Sequence, residues 1–430
     1  MNRFVLTYAA SLAALWPIAV HASPAASFGL DAAGTARGMA ITASADPVSA
    51  PGTNPARMIA LNADTIEMAA GLMVATDKLK INGSDAGIDN YYAMQLEFAT
   101  SLPLGPYRDR LFIGADIHLP KDHLYSLYTS GMRDPVVLGF GPDARRFSID
   151  VAAAVRIWEH IGIGFGVYVL PDVGSSVELS FGSEYENSHA DIQVGYRLAP
   201  TVGVYAEVIP GLHLGFAYRA AQTLSLDVPA NLYINEAIGT IHTRVDGNAY
   251  AEPHVIAFGV SYDFGQIRDD LLHFAVNLDA EYHHYPDPIR MAARVWLYDD
   301  SGEVLEGPAS SGADYRDAYV IRTALDWMPL DDLRVSVGYG FYKSPVPAQR
   351  YIFNVLDADR SQLAFGASGY LPSKWLGGFS PGLAIGAKLD FYTKRDMEKY
   401  EFMLNNPGFP SISFEGYTFA FHADLMFRFQ

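Results

Sequence analysis

From Tyr417 to the C-terminus the side chains alternate between two chemical characters. The odd positions carry Tyr417, Phe419, Phe421, Ala423, Leu425, Phe427 and Phe429, and the even ones Thr418, Ala420, His422, Asp424, Met426 and Arg428. Successive residues of an extended strand point to opposite faces, so one face of this segment suits hydrocarbon and the other suits water. The period recurs upstream. Leu383, Ile385, Ala387, Leu389 and Phe391 oppose Lys388 and Asp390, and Leu333, Val335, Val337, Tyr339 and Phe341 oppose Arg334 and Ser336. Further runs begin at Phe147, Phe274 and Tyr319. Each is close to the roughly ten residues that a tilted strand needs to cross a bilayer.

A soluble β-sandwich would show the same alternation, and three features argue against it. The first is a secretory signal over residues 1–22: Arg3 opens a charged region, Phe4 to Val20 is apolar apart from an interruption at Pro17, and Val20-His21-Ala22 supplies a small-residue cleavage site. The alternative reading of that stretch is an uncleaved anchor helix. The second is the repeated Gly and Ala on faces that would line a lumen. The third is the asymmetry of the connections. Short turns such as Pro210-Gly211 and Leu330 to Asp332 alternate with long polar loops such as Asp299 to Arg316 and Arg395 to Gly416, as in outer-membrane barrels with short periplasmic turns and long external loops. No later segment is long and apolar enough for a membrane helix.

Strand starts are expected near Thr65, Asn90, Arg110, Arg146, Ile161, Ala199, Leu212, Ala251, Leu271, Asp317, Leu333, Ser361, Pro381 and Gly416. That gives about fourteen, an even number as single-chain bacterial barrels require, with twelve or sixteen left open and Asp172 to Arg197 not assigned. The expected fold is therefore all-β, a transmembrane antiparallel β-barrel over residues 65–430 in a bacterial outer membrane. With 26 Tyr and 24 Phe the chain can furnish aromatic girdles at both interfaces. It has no cysteine, which removes disulfides and thiolate metal sites, and its net charge of −18 argues against a nucleic-acid partner. The final residue is Gln430, with the aromatic pattern ending one position earlier.

Residues 23–64 are rich in Gly, Ala and Pro and lack strand alternation. A barrel of this size encloses space, and a compact segment folded into it makes a plug; a disordered periplasmic tail has the same composition. Within this stretch, Gly34-Thr35-Ala36-Arg37-Gly38-Met39-Ala40, then Ala45-Asp46, then Asn54-Pro55-Ala56-Arg57-Met58 precede the first strand. This order resembles the N-terminal hatch of the FadL-type outer-membrane transporters of long-chain fatty acids and other hydrophobic molecules, with a departure at Pro47 to Thr53. Gly34, Arg37, Gly38, Asn54, Pro55 and Ala56 carry the resemblance. Independently of it, Asn and Pro favour a turn, and an Asn side chain can hydrogen-bond backbone groups that an irregular segment leaves unpaired.

The resemblance implies passive transport: capture of an apolar solute by external loops, passage into a barrel plugged by the hatch, and lateral release into the membrane, where each methylene gains about 0.8 kcal/mol on leaving water. The expected capture surface is the loop after the third strand, where Leu124, Tyr125, Leu127, Tyr128, Met132, Val136, Val137, Leu138 and Phe140 crowd together; packing as a lid is the alternative. Leu224 to Ile234 is a second, weaker candidate. Arg322, Asp326, Arg334, Lys388 and Asp390 face the lumen by parity and are expected to satisfy one another. On the ninth strand His273, Asp279, Glu281 and His283 share a face. The two histidines lie some 30 Å apart along an extended strand, so only the last three can cooperate, more simply as polar wall than as a metal or acid–base site.

No Gly-x-Ser-x-Gly elbow is present, and no catalytic residue, cofactor or metal is expected. The rival readings are an outer-membrane lipid-modifying enzyme, a polar-solute porin, and a structural barrel. The expected partners are a hydrophobic small molecule or lipid, the outer-membrane lipids and the barrel assembly machinery during biogenesis, and the chain is expected to be a monomer.

Overall fold

The computed structural model describes residues 31–429 apart from 87–89, 104–106, 108, 122–124, 127, 130–135, 139–144, 181–188, 236–238, 266–272, 287–293, 299–303, 307–314, 331, 349, 351–353, 373–376 and 401–408. The expected signal segment, residues 1–22, lies outside the described residues.

Fourteen antiparallel strands close into a barrel: β1 (Ile66–Ile81), β2 (Tyr91–Ser101), β3 (Leu111–Pro120), β4 (Ser148–Trp158), β5 (Ile161–Ser180), β6 (His189–Ile209), β7 (Leu212–Arg219), β8 (His254–Asp263), β9 (His273–His284), β10 (Ala318–Leu330), β11 (Leu333–Tyr342), β12 (Arg360–Tyr370), β13 (Phe379–Glu398) and β14 (Ser411–Phe429). Each pairs with the next, and β1 closes the ring against β14 from Ile66↔Phe429 to Ile81↔Phe414. Closure leaves no strand edge in the wall, which a bilayer demands because nothing there can hydrogen-bond a free peptide group.

The polarity of the wall is the reverse of a soluble protein's. On β1 the exposed positions from Ile66 to Val74 are Ile66, Met68, Ala70, Leu72 and Val74, with Lys78 and Lys80 exposed beyond them, and the buried ones include Glu67, Gly71 and Asp77. Leu72, Phe365 and Leu425 are 60%, 59% and 57% exposed, whereas Lys388 and Asp390 are 2% and 1% exposed. Outward apolar and inward polar side chains define a surface made for lipid. No helix among the described residues is long and apolar enough to cross a membrane.

Three expectations are corrected above the barrel mouth. The sixth strand begins at His189 rather than near Ala199, because β5 and β6 continue as a paired hairpin (Glu178↔His189) through the stretch that had no assignment. Leu224 to Ile234, the second capture candidate, lies in a strand: Gln222–Asn235 pairs with Gly239–Glu252, and its Ala230–Tyr233 runs parallel beside Val177–Ser180 of β5. Likewise β13 and β14 occupy both ends of the stretch from Arg395 to Gly416, and Val304–Glu306 pairs with Arg294–Tyr298 inside the expected loop after β9. On β13 and β14 the extensions keep one buried face, with Met397, Ile412 and Phe414 turned inward.

Candidate functional site

Residues 31–61 run along the inner wall. A short helix α1 (Ala32–Ala36) is capped by Asp31, whose side chain accepts from the Gly34 amide at 2.8 Å. Two 3-10 turns follow, Ala50–Gly52 and Pro55–Ala60. A segment with so little regular structure leaves many backbone groups without ladder partners, and the wall supplies them. The Asp424 carboxylate accepts from Ala32 N at 2.6 Å and Asp279 from Thr42 N at 2.7 Å. The His422 ring nitrogen Nδ1 lies 2.7 Å from Thr35 Oγ1. Arg156 donates to the carbonyls of Ile59 and Leu61.

Glycines in the wall make this approach possible. A Cβ on Gly203 would sit 2.1 Å from Asn54 Oδ1, one on Gly164 2.4 Å from the Pro55–Ala56 peptide, one on Gly215 2.2 Å from the Thr42 carbonyl, one on Gly338 2.4 Å from Arg37 and one on Gly386 2.2 Å from the Ala32 carbonyl. Of the residues carrying the family resemblance, Arg37, Gly38, Asn54, Pro55 and Ala56 sit in this interface and Gly34 packs within the segment. Asn54, fully buried, caps the second turn by accepting from Ala56 N and donates from Nδ2 to Thr42 O at 2.8 Å and to Val204 O on β6 at 3.1 Å. Pro55 opens the turn with its fixed φ, losing no needed amide. Arg37 is 1% exposed and spends its guanidinium on Ala33 O, Ser44 O and Asp46. Gly34 faces Asp31 Oδ1, and Gly38 adopts φ +60° where the chain turns out of α1.

Asp46 is the electrostatic centre of the segment. Burial pushes its carboxyl up, but the guanidinium groups of Arg334 and Arg37 outweigh that and hold it well below the usual carboxylate range. Burial lowers Arg57 from its ordinary value; its guanidinium stands 4.5 Å over the Tyr205 ring.

The lumen charges read from parity are all engaged. Arg322 forks onto Glu281 and donates to Tyr342 OH, Asp326 accepts from Ser336 and Asn277, Lys388 pairs with Asp390, and Arg334 with Asp46. On β9, Glu281 binds His283 while Asp279 holds the N-terminal segment, and His273 bonds Asp263 at the far end of the strand. Among the described residues no group of three or more His, Asp or Glu is arranged to hold a metal.

At the external mouth, Leu79, Leu356, Ala358, Tyr392, Met397, Ile412 and Phe414 form a buried apolar cluster. Sequence reading missed Leu356 and Ala358, which lie in the β11–β12 connection, where a three-residue apolar step is the only local signal. Of the expected capture residues, Leu124, Leu127, Met132 and Phe140 lie outside the described residues. Tyr125 is in a two-residue strand paired with Arg145–Arg146, and Tyr128 pairs with Leu138. The strand Val136–Leu138 runs parallel to Asn354–Leu356, so the backbones of the two external connections are joined. That connection is tied down by Arg395, which donates to Asp357 O and Val346 O, and by Ser344 Oγ donating to Asp357.

No protein-family model matches the sequence, and no curated protein matches it. Solved structures do. A FadL homologue from Pseudomonas aeruginosa aligns with TM-score 0.58 at 13% identity, covering 96% of this chain and 99% of that one. The toluene transporter TodX of Pseudomonas putida aligns with TM-score 0.54 at 14% identity (96% and 99% covered), and the Ralstonia pickettii toluene transporter TbuX with 0.53 at 14% (94% and 98%). The chain therefore has the fold of the FadL-type barrels.

Proposed function

We propose that the protein is a bacterial outer-membrane channel that carries hydrophobic small molecules passively, and that it is not an enzyme. The observation that carries this reading is the N-terminal segment wedged against a ring of wall glycines and tied to both its own chain and the wall through Asp46. A porin for polar solutes has no use for such an obstruction; a channel for apolar solutes needs one to keep ions and water from leaking. In this reading residues 23–64 are a hatch, the joined external connections around Leu356 and Leu138 capture the solute, and release is lateral, where hydrocarbon gains most. The neighbours described as toluene transporters favour the same cargo class.

The test is reconstitution of the full-length protein into planar bilayers and vesicles. Uptake of a monoaromatic hydrocarbon or a long-chain fatty acid, with little steady ion conductance, supports the proposal. Steady ohmic conductance without uptake of either compound assigns the chain to the porins.

A further inference from the structure

The lipid-facing surface carries a groove at the periplasmic end of β11, β12 and β13. Its floor is β12, where two successive outward positions, Ala367 and Gly369, lack bulk. The register places each small residue between two large ones: Leu333–Gly369–Leu383 in one row and Val335–Ala367–Ile385 in the next. The following row, Val337–Phe365–Ala387, lies beyond the lining of the groove and carries the exposed Phe365. Leu330 and Leu371, on the two periplasmic turns, flank its open end at 65% and 51% exposure. The resulting open groove has a volume of about 800 Å³ and a mostly apolar lining, with Asp332 and Ser368 among its polar members, within the size range of ordinary small-molecule sites.

The dimensions select an occupant. From Leu371 to Ala367, the span of the lining along β12, the strand rises roughly 13 Å at its usual spacing. A barrel strand tilted by about 40° converts that into roughly 10 Å along the membrane normal. That is a third of a hydrocarbon core about 30 Å thick, so the groove matches the headgroup-proximal part of one acyl chain of one leaflet, entering at the periplasmic rim. On the other side of the same strand end lies a smaller cavity walled by the ion pairs Arg334–Asp46 and Arg428–Glu67, a charged lining that gives an apolar solute no reason to pass through.

We infer that this groove is a binding site for an acyl chain of an inner-leaflet phospholipid. Lipid tails and leucine side chains are equally apolar, so the hydrophobic effect does not select for the site; contact on three sides of the chain, against one on a flat wall, does. The inference requires only that the barrel sits in a membrane and is independent of what the barrel transports.

The experiment is native mass spectrometry of the full-length protein, extracted from membranes and exchanged through detergent, comparing the wild type with Ala367→Phe, Ala367→Leu and Val151→Phe. Gly369 is unsuitable for filling, because a Cβ there meets the Asp332 carbonyl at 2.5 Å. Retained phospholipid should fall about tenfold in Ala367→Phe, a difference of about 1.4 kcal/mol, and fall less in Ala367→Leu. It should persist in Val151→Phe, which adds a ring to the outer face of β4, away from the groove. Equal retention in all four proteins, or none in the wild type, overturns the inference. So does loss of an apolar compound other than phospholipid in Ala367→Phe, which would make the groove part of the transport route. Ala367→Leu keeps the test decisive if Ala367→Phe fails to fold.

Discussion

Arg334 on β11 places Nη1 3.0 and 3.2 Å from the two carboxylate oxygens of Asp46, and the same carboxylate receives Arg37 Nη2 at 3.1 Å. One acid thus joins the irregular segment to itself and to the wall. Asp46→Asn should keep the shape and lose the ion pairs, at a cost of about 2 kcal/mol for hydrogen bonds to a charged group. Because the chain has no native cysteine, a thiol introduced as Ser44→Cys reports on the segment alone. Its modification by a small thiol reagent should speed up about tenfold or more in Asp46→Asn, and an unchanged rate would show that the segment is held elsewhere.

Gly203→Ala should displace Asn54, since the added Cβ would fall 2.1 Å from its Oδ1. Asn54→Ala removes the same contacts from the other side and leaves two carbonyls short of a donor, a loss of about 2–4 kcal/mol. Both variants should raise small-ion conductance in planar bilayers, and together they should do little more than either alone, because they break one interface.

Leu325→Arg puts a charge on the lipid face of β10, where Leu325 is 47% exposed. At mid-membrane depth this should cost about 2–4 kcal/mol. A urea titration of folding into vesicles measures it, and a loss below 1 kcal/mol, roughly the value near an interface, would place Leu325 closer to the membrane edge.

Asp357, in the β11–β12 connection, is buried, and burial pushes its carboxyl up to about 7 despite hydrogen bonds from Ser344 and Ala358 and the nearby charges of Arg360 and Arg395. The folded value exceeds the unfolded one. The stability this group contributes is therefore full below the unfolded value and is lost as the pH rises through the folded value. Amide exchange over 354–358, corrected for its intrinsic pH dependence, should be slower at pH 5 than at pH 8. Asp357→Asn, neutral throughout, should flatten that difference.

Wherever the bilayer dictates the pattern, the residues announced the fold. The alternation at Tyr417 to Phe429 and at Leu333 to Phe341 marks strands, the signal segment and the asymmetry of the connections turn them into a barrel, and most of the fourteen starts lie within three residues of the strands. Above the membrane the signal vanishes. The pairing of Gln222–Asn235 with Gly239–Glu252, and the attachment of Asn354–Leu356 to Val136–Leu138, depend on which chains meet in space. The lumen followed a middle course. Parity showed that Asp279, His422, Asp424 and Arg334 face inward, but not that each serves an atom some hundreds of residues away.

The seam between β1 and β14 joins the two ends of the barrel sequence. Ala32 and its acceptor Asp424 are separated by 392 residues, so the cradle for the N-terminal segment exists only once strands far apart in the chain have come together. A contact so distant in sequence forms late and slowly. Docking of Ala32 and closure of the seam from Ile66 to Phe429 therefore draw on the same strand, and a variant that loosens one weakens the support of the other.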